Sequence, residues 1–167
     1  MPIFRHRMIV AAPLAIVQDF HGSTDALELL TPPPMQVELV RGCTVEEGAV
    51  AQFVLKLWPL RIEWHARHED VSDHGFTDVQ QVGPLAHWRH THRFTPVDET
   101  NTDVVDVVDY AHPPGAAGLR TRLLFGVPQL YGLFSYRAFQ TKRICAARHS
   151  AERNARRLRR RSTIAVA

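Results

Sequence analysis

Two periodicities divide the chain. Between residues 35 and 110 apolar and polar positions alternate with a period of two, and after residue 115 apolar positions recur at the three- and four-residue spacing of one helix side. The alternating region breaks into six predicted strands, at 35–40, 50–57, 60–69, 76–82, 85–94 and 102–110. Within 60–69, Leu60, Ile62, Trp64, Ala66 and His68 share one face, and Arg61, Glu63, His65 and Arg67 the other. Trp58-Pro59 and Gly83-Pro84 punctuate the short joins, so consecutive strands are expected to pair antiparallel.

Upstream, residues 4–12 read as a first strand. Pro13 opens a helix, where its missing amide hydrogen costs no helical bond, and Leu14, Val17 and Phe20 form its apolar stripe up to Gly22. Ser23 is placed to cap a second short helix that Thr31 and Pro32 to Pro34 stop. Downstream, Leu119, Leu123, Leu124, Val127, Leu130, Leu133, Phe134, Ala138, Phe139, Ile144 and Cys145 fit one long helix bent at Pro128. The order is β-α-α-β₆-α, an α+β fold. A curved antiparallel β-sheet wrapped around the long C-terminal helix, with two short helices after the first strand closing one end, covers these apolar faces. Where the curvature exceeds what side chains fill, a cavity remains, and it is the expected ligand site.

Composition changes this picture little. With 167 residues, 45% hydrophobic and 22% charged, one domain can bury a core without metals or disulfides. Cys43 and Cys145 form no Cys-x-x-Cys pattern and fit a reducing, cytoplasmic setting. The apolar stretch at 8–12 is too short for a signal peptide, and no run approaches the roughly 18 apolar residues of a membrane span.

Charge matters more, because it is unevenly spread. Residues 1–141 hold 11 Lys and Arg against 16 Asp and Glu, while residues 142–167 hold 9 against 1. The acidic body would repel a phosphate backbone, so any anionic partner must meet the end of the chain. The expected division is a ligand-binding domain at 1–147 and a basic, partly disordered tail at 148–167. Arg153, Arg156, Arg157, Arg159, Arg160 and Arg161 make that tail either a solvated helix end or a contact for anionic membrane lipid, RNA or an acidic partner.

The richest polar cluster is His87-Trp-Arg-His-Thr-His-Arg-Phe94. On a strand, Trp88, His90, His92 and Phe94 share one face, the expected cavity face, where an imidazole can donate to a ligand oxygen. His68 can approach His90 and His92 if the register permits, and three imidazoles can hold zinc; without local ligand spacing or an acidic partner in the sequence, no metal and no cofactor are expected. Asp106 interrupts Val104, Val108 and Tyr110. Either it faces the cavity, with Arg89 or Arg93 as partner if the alternation slips, or Val105 and Val107 point inward and Asp106 outward. Glu63 has the same ambiguity. Neither cysteine has a histidine nearby in sequence, and no Gly-x-Ser-x-Gly elbow, phosphate loop, dinucleotide fingerprint or His-Glu-x-x-His is present, which disfavours a covalent hydrolase or nucleotide enzyme.

The element order, together with Ile9-Val-Ala-Ala-Pro13, Leu30-Thr-Pro-Pro-Pro-Met35, Trp58-Pro-Leu-Arg-Ile62, the Gly83 to Phe94 block and Asp106-Val-Val-Asp-Tyr110, resembles the SRPBCC superfamily. Within it, the chain is similar to small bacterial ligand-binding or cyclase/dehydrase-like proteins of the START-like, Bet v 1-like helix-grip group. The resemblance covers about residues 3 to 141 and implies a cavity for a small hydrophobic molecule such as a lipid, isoprenoid or polyketide-like aromatic. The candidate ligand contacts are Trp64, His68, Trp88, His90, His92, Leu130, Phe134 and Tyr136. The alternative is cofactor-free cyclase or dehydratase chemistry in which His90 and His92 orient or protonate the substrate.

Overall fold

The computed structural model describes residues 2–22, 24 and 26–164, with side chains through Arg159. Its elements run β1 (Ile3–Val10), α1 (Leu14–His21), α2 (Ala26–Leu29), β2 (Gln36–Arg41), β3 (Val50–Leu57), β4 (Leu60–Ser72), β5 (Gly75–Val82), β6 (His87–Asp98), β7 (Asn101–Ala111), α3 (Gly115–Phe125) and α4 (Val127–Ile164). The strands form one antiparallel sheet in the order β1-β7-β6-β5-β4-β3-β2. Strands β2 to β7 are a meander of sequence neighbours, joined by short connections except for the loop at 42–49 between β2 and β3. The exception is β1, which pairs with β7 because α1 and α2 carry the chain from one edge of the sheet to the other.

The expected single helix is two. The chain is extended at Gly126, with φ −70° and ψ 170°, rather than bent at Pro128. The break places Pro128 in the first turn of α4, where its missing donor leaves no intrahelical bond unmade. Helix α4 then continues through the basic segment to Ile164. Ser23, read as a helix cap, and the side chains of Arg160 and Arg161 lie outside the described residues. Arg148 is held to the body, its Nη1 2.8 Å from Asp19 Oδ2 and its guanidinium over the Phe20 ring.

The inward row of α4 is Leu130, Phe134, Ala138, Thr141 and Cys145, at helical spacing and all buried. Phe139 falls between these positions and is 62% exposed, so it does not pack on the sheet as its apolar character implied. Leu119, Leu123 and Val127 are exposed as well. Two apolar clusters result. Met8, Val10, Val17, Phe20, Phe76, Phe94 and Val104 gather with Ala138 and Cys145 in one; Phe4, Phe53, Trp64, Trp88, Val108 and Tyr110 gather with Leu130 and Phe134 in the other.

Between these clusters the inner face of the sheet carries polar residues in one row. The ladder places His6 opposite Asp106, Asp106 opposite His92, His90 opposite Asp78, and Asp78 opposite His68. Gly75, paired with Arg93 at the start of β5, sets the approach of β5 to β6 next to His92. At its φ of +141°, a Cβ would stand 1.9 Å from the His92 carbonyl oxygen, so only glycine lets the two backbones meet there.

Phe134, 1% exposed, and Phe139 test this packing on the same helix. Phe134→Ala is expected to cost about 3–5 kcal/mol in urea unfolding. Phe139→Ala should change stability by no more than about 0.5 kcal/mol. Equal losses would contradict the assigned helix face.

Candidate functional site

A cavity of about 130 Å³ lies between the sheet and the helices. An apolar cavity of about 150 Å³ accepts benzene, so the space suits a ring or a length of alkyl chain. Phe53, Trp64, Trp88, Phe125, Leu27 and Leu133 build its apolar wall. The Trp64 and Trp88 rings meet edge to face at 5.4 Å, and Phe53 stacks on Trp64 at 6.3 Å. His21, Thr24, His68, Asp78, His90, His92 and Arg137 supply the polar part.

The polar groups bond one another in sequence. His68 Nδ1 donates to Asp78 Oδ1 at 2.7 Å, His92 Nε2 donates to Asp78 Oδ2 at 3.3 Å, and His90 Nε2 donates to Asp106 Oδ1 at 3.1 Å. His92 Nδ1 is 2.9 Å from the same Asp106 oxygen, but out of line for a hydrogen bond, so that contact is one of charge. His92 thus lies between the buried carboxylate of Asp106 and the half-buried one of Asp78.

Burial raises the cost of every charge here, and the partners decide which charges survive. Burial pulls His92 down, yet Asp106 and Asp78 outweigh it and lift the imidazole to about 9. Burial and the neighbouring His92 charge push His90 to about 4 despite Asp106, and the same two causes take His21 to about 4. Burial also works against Asp78 and Asp106, but bonds from His68 and His92 hold the first, and the bond from His90 with the charge of His92 holds the second, well below the usual carboxylate range. At neutral pH the row therefore holds an imidazolium beside a neutral imidazole, the two rings 4.0 Å apart. Arg137 is lowered by desolvation while the charges of Asp106 and Asp78 support it; its Nε donates to the Leu30 carbonyl at 3.4 Å.

Asp78, His90 and His92 offer ligand atoms within 4.8 Å of one another, a spacing able to hold a metal ion. Here these groups form the hydrogen-bonded row itself.

Three solved structures show the same architecture. Protein Ms6760 from Mycobacterium smegmatis matches with a TM-score of 0.65 at 17% identity, over 85% of this chain and 89% of its own. Protein CV1439 from Chromobacterium violaceum matches with 0.70 at 13%, over 87% and 99%. The Zhui aromatase/cyclase from Streptomyces sp. R1128 matches with 0.61 at 16%, over 89% and 93%. The chain has a helix-grip fold. At these identities the likeness is one of fold. No family model and no curated protein matches the sequence.

On this helix-grip scaffold Trp64, His68, Trp88, His90 and His92 line the cavity together. From α4 the lining residues are Leu133 and Arg137; Leu130 and Phe134 are buried in the adjoining cluster, and half-buried Tyr136 lies outside the lining. Asp106 faces inward, and its partners are His90 and His92 rather than Arg89 or Arg93. Arg89 stands on the outer face and pairs with Glu69 and Asp70. Glu63 is outward too, 3.0 Å from His65. Asp78 was not picked out from the sequence, and Arg137, a polar group along the long helix, was not among the candidate ligand contacts. The signal for Asp78 was available, since it interrupts the inward face of β5 two positions after Phe76; nothing in the α4 pattern marks Arg137.

These protonation states fix a stability profile. His92 binds its proton more tightly in the folded chain than at an ordinary 6.5, so its contribution is complete below 6.5 and is lost as pH rises through about 9. His90 and His21 contribute fully above 6.5 and lose that contribution as pH falls through about 4, with the two aspartates adding to the acid loss. Thermal unfolding should therefore show a maximum near pH 6.5 and a decline on both sides. Asp106→Asn, which breaks a buried pair, is expected to cost about 3–5 kcal/mol near that maximum and to flatten the alkaline decline. A wild-type midpoint that climbs steadily to pH 9 would contradict the charged state of His92.

Proposed function

We propose that this chain is an SRPBCC-type carrier or receptor whose cavity binds a small hydrophobic molecule, a lipid, isoprenoid or polyketide-like aromatic. One observation carries the reading: an aromatic-walled space between sheet and helices that meets a few convergent polar groups on one side. The apolar wall takes the body of the ligand, and the imidazoles and Arg137 take an oxygen function. Two free cysteines agree with a reducing cytoplasmic location. No described helix is long and apolar enough to cross a membrane. Beyond Arg148, the basic end of α4 is assigned to weak contact with an anionic surface.

Ala66, buried on the cavity wall, gives the test. The neutral fluorophore N-phenyl-1-naphthylamine should bind saturably to the wild type, and Ala66→Phe should weaken it at least about tenfold by filling the space, at about 1–3 kcal/mol of overpacking. Native mass spectrometry of gently purified protein should reveal an exchangeable apolar ligand. No saturable binding and no such ligand would sink the proposal.

A second reading is favoured by the paired histidines. Two imidazoles in one cavity, one charged and one neutral, divide acid and base roles, as cyclase or dehydratase chemistry requires. In that case His92 is the acid and His90 the base. Single-turnover conversion of an aromatic polyketide substrate should hold a plateau between about pH 4 and 9. His90→Ala and His92→Ala should each lower it by about 100-fold or more. Unchanged conversion in both variants removes them from the mechanism.

A further inference from the structure

Cys43 lies between β2 and β3, and its Sγ is 3.5 Å from Nε2 of His68. The other ring nitrogen of His68 donates to Asp78 Oδ1 at 2.7 Å. An ionised carboxylate only accepts, so Nδ1 of His68 carries a proton, and in the neutral tautomer the Nε2 lone pair faces the thiol. His68 is 3% exposed, with Phe76 edge-on at 5.6 Å, which holds the ring in this orientation. Thr24 fixes the other side: its Oγ1 accepts from Cys43 N at 3.1 Å, and its backbone amide donates to the Cys43 carbonyl at 3.2 Å. The thiol's neighbours Thr24 and His68, and Asp78 beyond them, all line the cavity.

A nucleophile, a base within reach of it and a third group orienting the base constitute the arrangement that activates thiols. We propose that Cys43 is a nucleophile, with His68 as its base and Asp78 as a positioning residue, that forms a thioether with a hydrophobic ligand carrying an α,β-unsaturated carbonyl. The apolar part of this ligand class rests on the hydrophobic-cavity reading; the thiol chemistry does not.

The step balances without a co-reactant. His68 Nε2 takes the thiol proton as sulfur bonds to the β-carbon, the double-bond pair moves onto the carbonyl as an enolate, and the proton returns from His68 to the α-carbon. Acyl transfer fits less well, because the Cys43 amide is already committed to Thr24 and is not free to hold an oxyanion at the attacked carbon. Conjugate addition develops its charge several bonds from sulfur, and the cationic His92 and Arg137 line the same cavity. Burial and then the Asp78 charge raise the Cys43 thiol above its ordinary range, with Arg41 opposing and Glu46 adding to the rise. Little thiolate forms unaided, and reaction depends on the base.

The test compares N-ethylmaleimide with N-octylmaleimide on the full chain, the adduct being located by peptide mass. Cys145, fully buried in the core, serves as the internal reference. Cys43 is expected to label at least about tenfold faster in the wild type than in His68→Asn, with Asp78→Asn between them and no label at this position in Cys43→Ser. In His68→Asn the rate should climb about tenfold per pH unit between pH 6 and 8, following the thiolate, whereas base assistance makes the wild-type slope shallower. The wild-type slope requires no variant to fold. A wild-type rate that follows the thiolate, or Cys43 labelling no faster than Cys145, overturns the proposal. Octyl capture should exceed ethyl capture by at least about fivefold. His68-dependent capture without that preference upholds the nucleophile and overturns the hydrophobic-ligand reading instead.

Discussion

A carboxylate at Asp106, 5% exposed, is the constraint around which the rest of the site is arranged. Desolvating such a group costs several kcal/mol unless its lone pairs are met, and the antiparallel ladder meets them. Register puts His92 directly across from Asp106, and His90, on the same face, reaches the same oxygen. The attraction keeps His92 charged, the charged His92 keeps His90 neutral, and both then interact with Asp78 or Asp106 in fixed roles. A slip of one residue between β6 and β7 would turn His90, His92 and Asp106 to opposite faces. The buried charges thus bind the chemistry of the site to one strand pairing.

The row also explains why the molecule has two apolar clusters. Along β6 the sequence runs Trp88, His90, His92, Phe94 on the inner face, and along β7 it runs Tyr110, Val108, Asp106, Val104. Each strand enters one cluster, crosses the polar row and leaves into the other. Helix α4 crosses it as well, with Phe134 on one side, Ala138 on the other and Arg137 at the level of the row. Two carboxylates, one imidazolium and one guanidinium balance within it. A cavity opening onto this boundary is amphipathic by construction.

The order of the strands and first helices and most strand faces were legible in the sequence, while the break at Gly126 that divides the C-terminal helix was not. Alternation in β4, β6 and β7, Pro13 before α1 and the prolines after α2 mark boundaries that local sterics and hydrogen bonding enforce, so the antiparallel meander and the inward histidines were legible. Trp64, His68, Trp88, His90 and His92 were found for that reason. Asp106 could not be assigned from its own strand, because alternating valines flank it on both faces; the pairing of β7 with both β1 and β6 decided it. What only the tertiary structure decided was which distant groups meet: Asp78 with His68 and His92, Arg137 with the cavity, and Cys43 with His68 across 25 positions of chain. Periodicity fixes which way a side chain points relative to its own strand or helix. Distances between groups on different elements depend on sheet order, register and helix placement, and those follow from packing the whole chain at once.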